Sequence, residues 1–260
     1  MNTEDRYISK AFGIHPIMEC IKSGKKIIKI FIQKGLKGNN IEDLKEMIRI
    51  NKIHCVYVPL QKLNSLTRKN HQGVFAFISP IDFFKIDDIL PQIYERGDLP
   101  LLLILDRVTD VRNFGSIVRT AKCAGVDSII IPDKGSALIN EDAIKTSAGA
   151  IYDIPICREK YILNTIDYLY DSGVQVVGAT EKTDKSLYEI DFSIPSAIVM
   201  GSEEDGISPA YLKKIKERAS IPMEKGISSL NVSVACGVFL YEAVRQRTHI
   251  LSKPTNTIPI

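Results

Sequence analysis

The sequence is poor in the features that mark metal, disulfide, membrane and common nucleotide-binding proteins. Its four histidines, at 15, 54, 71 and 249, show no ligand spacing, so no metal site is expected. Five cysteines (20, 55, 123, 157 and 236) are odd in number and form no C-x-x-C pair, which reads as reduced thiols in a cytoplasmic protein. Apolar runs such as 99–105 and 128–132 are far too short to cross a bilayer, so no membrane partner is expected. The opening residues, MNTEDRYISK, lack the apolar core of a signal peptide. After the first strand of the main domain there is neither a GxGxxG turn nor a GxxxxGK[ST] loop, and no G-x-S-x-G elbow occurs. These absences disfavour an NAD enzyme, a P-loop NTPase, an α/β-hydrolase and the common methyltransferase fold with its Gly-rich first turn.

What is present is an ordinary globular composition, 45% hydrophobic and 25% charged, in 260 residues, enough for one large or two modest domains. The net charge of +3 is unevenly spread. Residues 1–80 hold 14 Lys+Arg against 6 Asp+Glu, while residues 81–260 hold 20 against 25. A basic part on a mildly acidic body is the electrostatic footprint of a nucleic-acid partner, although solvated lysines around a small domain would look the same. Residues 1–80 read as a small α/β domain, with helices at 14–23 and 41–50 and strands at 26–32, 54–58 and 73–79. Residues 81–98, punctuated by Pro91 and Gly97, read as a linker, and residues 251–260 as a tail.

From residue 99 to 250 the pattern is βα alternation. Short apolar strands are expected at 101–105, 128–131, 174–178, 197–200 and 219–221, with helices at 115–124, 141–148, 161–170 and 209–218. Near-continuous apolar strands separated by helices argue for a parallel sheet covered on both faces. The last long segment, 221–247, turns from a strand end through a Gly/Ser turn into a helix, with Ser228 or Ser229 as candidate cap and Arg245 and Arg247 in its last turn. Loops rich in Gly and polar residues follow several strands, at 106–115, 179–181, 201–206 and 221–229. The carboxyl ends of parallel strands are where such a sheet binds its ligand.

Singly, these residues are modest signals. Asn113 serves equally well as a helix cap. Arg119, early in a helix, is badly placed to favour the helix dipole and suits an anion or substrate better. Glu203, Glu204 and Asp205 sit between Gly201 and Gly206, as in a shaped loop, and His71 reads as a surface loop residue.

Together they form a pattern. Asn113-x-Gly115-x-x-x-Arg119, then Gly201-x-Glu203-x-x-Gly206, then IPM at 221–223 and SLNVSVA at 229–235, resemble the SpoU family of RNA ribose 2′-O-methyltransferases, of the SPOUT superfamily, in family order over residues 99–247. Thr146-Ser147-Ala148-Gly149-Ala150 is similar to the family's linking region. Residues 1–80, ending in His71-Gln72-Gly73-Val74, resemble the L30e-like RNA-binding domain of its ribosomal RNA members. Ser116 departs from the usual Ala, and Gly226 falls one place late.

The resemblance implies a parallel α/β sheet with a C-terminal trefoil knot, a homodimer, and S-adenosyl-L-methionine as methyl donor. It implies a cofactor cradle of Thr180, Gly201, Ile221, Ser229 and Leu230, and a reaction site of Asn113, Arg119, Glu203 and Asn231. The implied substrate is ribosomal RNA, a guanosine ribose of 23S rRNA. A guanidinium stays protonated at neutral pH, so Arg119 is expected to orient the RNA phosphate and ribose while Glu203 or solvent takes the proton. A tRNA methyltransferase or a resistance-type rRNA methylase of the same family, and a non-catalytic ribosome-assembly factor, remain the alternatives.

Overall fold

The computed structural model describes residues 9–137, 139–224 and 229–251. The chain forms two compact units, Met1–Asp82 with Ile139–Glu141, and Phe83–Leu138 with Asp142–Ile260.

The first unit contains β1 (Ser9–Phe12), α1 (Ile14–Lys22), β2 (Ile27–Gln33), α2 (Asn39–Ile50), β3 (Cys55–Val58), α3 (Leu60–Leu66) and β4 (Val74–Ile78). Its sheet has the order β1-β4-β2-β3, with β4 antiparallel to β1 and β2, and β2 parallel to β3. Period-two alternation sends Ile30, Ile32, Val74, Ala76 and Ile78 into a core with Ile17 of α1 and Ile41, Leu44 and Ile48 of α2. It sends Phe31 and Phe75 to the opposite face, where they pack with Leu63 of α3.

His71, expected at the surface, is only 8% exposed. The Gly73 N–H donates to its Nδ1 at 3.0 Å, which leaves the proton on Nε2, 2.9 Å from Asn64 Oδ1. Gly73 has φ +76, and a Cβ there would lie 2.9 Å from Leu36 Cδ2. The His-Gln-Gly run therefore shapes a tight corner into β4.

The second unit begins with α4 (Ile86–Glu95), inside the stretch expected to be a linker. Ile86, Ile89, Leu90 and Ile93 recur at three- and four-residue steps and are buried in the second unit's core. At about 1.5–3 kcal/mol per buried aliphatic side chain, this outweighs the roughly 3 kcal/mol cost of Pro91 inside the helix.

There follow β5 (Leu101–Leu105), α5 (Val111–Cys123), β6 (Ser128–Pro132), α6 (Glu141–Thr146), β7 (Ile156–Glu159), α7 (Ile162–Asp171), β8 (Gln175–Ala179), β9 (Ser196–Met200), α8 (Pro209–Lys214), β10 (Glu217–Ala219) and α9 (Val232–Leu251). All six strands are parallel, in the order β10-β8-β9-β5-β6-β7. Leu102, Ile104, Val176, Ala197 and Val199 pack with α4, α7 and residues 207 and 215. The alternate positions Leu101, Leu103, Leu105 and Ile198 are as fully buried, as a sheet covered on both faces requires. α9 packs on α5 and against β9.

Helix ends differ from expectation. α5 starts at Val111, because Asp110 caps it by accepting from the Asn113 N–H at 2.8 Å. α8 stops at Lys214, and β10 ends at Ala219, two residues short of the expected strand end. α9 starts at Val232, capped by Asn231, whose Oδ1 accepts from the Ser233 N–H at 3.0 Å. Ser229 lies two residues before that cap and does not serve as one, and Ser228 falls outside the described residues. Arg247 is not in the last turn of α9. Its guanidinium instead donates to the carbonyls of Leu99, Pro100, Phe192 and Ile194 at 2.7–3.1 Å, fastening α9 to the segments that lead into β5 and β9.

Among the described residues no helix is long and apolar enough to cross a membrane, and no group of three or more His, Cys, Asp or Glu is placed to hold a metal.

Candidate active site

The loops that follow β5, β8, β9 and β10 leave the carboxyl ends of four adjacent strands. Sheet order reverses there, since the chain runs β5-β6-β7 outward and then returns to lay β8 and β9 on the other side of β5. This is the switch point where an open α/β sheet forms its crevice.

A cavity of about 700 Å³ opens there. Thr180, Gly201, Ile221, Ser229 and Leu230 line it, together with Ala235 of the SLNVSVA motif and with Met200 and Phe239, to which sequence reasoning gave no place in the site. Glu203 and Asn231 also reach this cavity. Glu203 continues into a smaller recess that it shares with Asn113 and Arg107.

Three of the four expected reaction-site residues meet. Asn113 Nδ2 donates to Glu203 Oε1 at 2.5 Å. Asn231 Nδ2 donates to the same oxygen at 2.8 Å and to Asn113 Oδ1 at 3.2 Å. The direction of every bond follows from the start of α9. The Ser233 N–H fixes Asn231 Oδ1 as an acceptor, so Nδ2 must donate. Asn113 Oδ1 receives one of those hydrogens, so its own amide donates to Glu203. Glu203 Oε1 thus accepts from two amide donors, in a cluster with no cation bonded to it among the described residues.

Arg119 does not join them. It lies six residues beyond Asn113 on α5, about 9 Å along the axis and about 120° around it. It is exposed, and its side chain forms no hydrogen bond or ion pair among the described residues.

The motif glycines answer to packing. A Cβ on Gly201 would sit 2.1 Å from the Gly206 carbonyl carbon, inside the turn closed by the Ser202 and Gly206 backbone bonds. A Cβ on Gly115 would sit 2.7 Å from Thr146 Cβ and 2.9 Å from the Ala143 carbonyl oxygen. Gly201, which also lines the cavity, is the residue that lets this loop close.

That loop is held by residues the sequence did not mark. Asp106, 2% exposed, accepts from the Ser208 N–H at 2.6 Å and from Arg107 Nε at 3.3 Å. Arg107, at φ +57, donates to Asp205 Oδ2 at 3.0 Å and to the Gly206 carbonyl at 3.1 Å. Burial works against the Arg107 charge, and the bonds to Asp106 and Asp205 outweigh it, leaving its pKa above the ordinary guanidinium value. The only sequence signal was an Asp-Arg pair directly after an apolar strand.

The model of the SpoU rRNA Methylase family matches residues 100–241. The chain belongs to the SpoU family of RNA 2′-O-ribose methyltransferases. A second family model, RNA 2′-O ribose methyltransferase substrate binding, matches residues 10–84. A Staphylococcus saprophyticus protein named as a TrmH family tRNA/rRNA methyltransferase is 38% identical over 241 residues, 93% of this chain and 97% of its own. The crystal structure of an AdoMet-bound rRNA methyltransferase from Sinorhizobium meliloti superposes with a TM-score of 0.59 at 26% identity, covering 96% of this chain and 90% of that one. A tRNA-modifying SpoU enzyme from A. aeolicus gives a TM-score of 0.53 at 28% identity and covers 89% of its own chain but 65% of this one.

Proposed function

We propose that this SpoU-family enzyme transfers the methyl group of S-adenosylmethionine to the 2′-hydroxyl of a ribose in ribosomal RNA, at a guanosine of 23S rRNA. The observation that carries the reading is the Asn113–Glu203–Asn231 network at the mouth of the cavity.

The cavity suits the donor. Its volume is in the range of small-molecule sites. Met200, Ile221, Leu230 and Phe239 offer an apolar wall, while Glu181, Glu203 and Glu204 offer negative charge to a cationic sulfonium. Thr180, Gly201, Ile221, Ser229 and Leu230 would hold it. When bound, S-adenosylmethionine supplies an electrophilic methyl group and a neutral leaving sulfur.

The protein's own tasks are alignment and removal of the hydroxyl proton. Two asparagines saturate one oxygen of Glu203 and fix its plane, leaving the other to accept from the ribose hydroxyl and take its proton. Arg119, exposed and with no side-chain partner among the described residues, orients the RNA phosphate and ribose. Homodimer formation belongs to the same reading. Val234 and Tyr241, each 53% exposed and seven residues apart, form an apolar stripe along α9. The C-terminal trefoil knot implied by the family resemblance is proposed with it.

Ribosomal RNA is preferred over tRNA because the first unit is shared with the S. meliloti rRNA enzyme's length of alignment, whereas the tRNA-modifying A. aeolicus structure accounts for 65% of this chain. The staphylococcal relative's name keeps tRNA as the second reading. Offering the purified enzyme and labelled donor separately to undermethylated 23S rRNA and bulk tRNA decides between them. Label in one 23S guanosine is expected, and label confined to tRNA overturns the substrate assignment.

A further inference from the structure

The first unit keeps its charges sorted by side. Among its described residues up to 80 the acids are Glu19, Glu42, Asp43 and Glu46, all on α1 or α2. Three of them pair with a cation three residues on, Glu19 with Lys22 at 3.0 Å, Glu42 with Lys45 at 2.7 Å and Glu46 with Arg49 at 3.6 Å. The side of the sheet that these helices cover is therefore balanced. No acid stands in 23–38 or 51–80, which hold Lys29 on β2, Lys62 on α3, and Arg68 and Lys69 in the turn before β4.

The unbalanced side is also aromatic. The alternation that sends Ala11, Ile30, Ile32, Ala76 and Ile78 toward the helices puts Phe12, Phe31, Phe75 and Phe77 together on the other face. Phe77 meets Phe75 edge-on at 5.0 Å and Phe31 at 5.8 Å between ring centroids. The short α3 covers this face incompletely. Phe31 and Phe75 are buried, while Phe12, Phe77 and Lys29 keep part of their surface open. Strand register sets Lys29 directly across from Phe77. The Lys29 ammonium lies 5.0 Å from the Phe31 ring and that of Lys69 lies 5.3 Å from the Phe12 ring.

We propose that this sheet face, built on Phe12, Phe77, Lys29 and Lys69, binds unpaired RNA, with bases stacked on the open rings and phosphates on the lysines. The inference rests on the RNA-modifying reading above and assigns where the unit takes hold of its substrate. A half-open ring beside a cation offers a base and its phosphate what each needs, stacking and charge. Duplex RNA hides its base faces and would use the cations alone. A second copy of the same face would bring like charges together.

The test uses the full chain and fluorescent RNAs, a short unstructured strand and a hairpin of equal composition, with binding read by anisotropy over a range of salt. Phe77→Leu keeps an apolar side chain but no stacking ring. It is expected to weaken the unstructured strand about tenfold and the hairpin less than about twofold, with Phe77→Tyr restoring wild-type binding. Lys29→Gln should reduce the slope of log K against log salt by about 0.7 for the single strand. The helix-side pair Lys22→Gln with Lys45→Gln should leave both RNAs within about twofold of wild type, since those lysines are already neutralised.

Unchanged single-strand binding by a folded Phe77→Leu protein overturns the proposal. So does equal loss on both RNAs, an effect of the helix-side pair as large as that of Lys29→Gln, or a wild-type chain that binds neither RNA. If Phe77→Leu melts early, Lys29→Gln and the helix-side pair decide alone. Methyl transfer by the wild type separates the two readings. RNA methylated normally while Phe77→Leu binds unchanged refutes this face only, whereas no transfer to any RNA refutes the functional reading.

Discussion

In the six-stranded sheet of the second unit, polar side chains gather at the carboxyl ends of four strands and lock one another in place. In the four-stranded sheet of the first unit they spread across a face, with Lys29 and Lys69 each set beside an aromatic ring. The first arrangement fixes the direction of one Glu203 oxygen, through Ser233, Asn231, Asn113 and Glu203 in series. The second needs only sign and flatness. One is built to align a reaction and the other to hold a long, variable polymer, and single substitutions should separate them by orders of magnitude.

The largest effect is expected at the end of the series. Glu203→Ala removes the acceptor and should lower single-turnover methyl transfer by about 10²–10⁴, while calorimetric binding of the donor changes by a few fold. Loss of donor binding in parallel would instead make Glu203 a cradle residue. Arg119→Lys keeps the charge but not the planar fork, and should cost about tenfold or more in turnover with bound RNA. Near-normal turnover would remove Arg119 from the reaction.

Gly201→Ala tests the loop and not the chemistry. With a Cβ forced against the Gly206 backbone, unfolding free energy should fall by about 1–3 kcal/mol, with donor affinity falling too. Unaltered stability would mean that the 201–206 loop yields. Arg247→Ala removes four bonds to carbonyl oxygens and should cost a similar amount, without altering donor affinity in the protein that remains folded. Chemical denaturation measures both.

Much of the second unit was legible in the sequence because its strands are continuous apolar runs with Gly-rich polar loops after them. Leu101–Leu105 matches its expected bounds, and the loops that line the cavity and its adjoining recess are ones that composition had marked. What was hidden depended on partners distant in sequence. α4 was masked by Pro91, whose cost is visible locally while the burial of Ile89 and Leu90 is not. The cap of α9 was assigned to a serine, yet Asn231 performs it with one side-chain atom and joins the reaction cluster with the other. Asp106 and Arg107 looked like an ordinary charged turn, since nothing local shows that Asp205 and Ser208 stand across from them. Arg119 carries the motif but stands apart from the other three, a separation set by helix geometry that the motif spacing conceals.

A further expected effect concerns neither site. Burial pushes the Cys157 thiol up to about 11 and the Cys236 thiol up to about 12. A thiol whose folded pKa is raised contributes stability fully below its unfolded value, near 9, and loses it as pH rises through the folded value. Denaturation midpoints should therefore fall between about pH 9 and 12, and fall less steeply in Cys236→Ala. A midpoint that is flat across this window would mean that water reaches both thiols.

The most direct test of the whole account is where the methyl group lands. Wild-type enzyme is given S-adenosylmethionine labelled in the methyl group and unmodified ribosomal RNA, and the product is hydrolysed in alkali. A methylated 2′-oxygen cannot attack its neighbouring phosphate, so the account predicts label in alkali-resistant dinucleotides. Label released in mononucleotides would place the methyl on a base and contradict it.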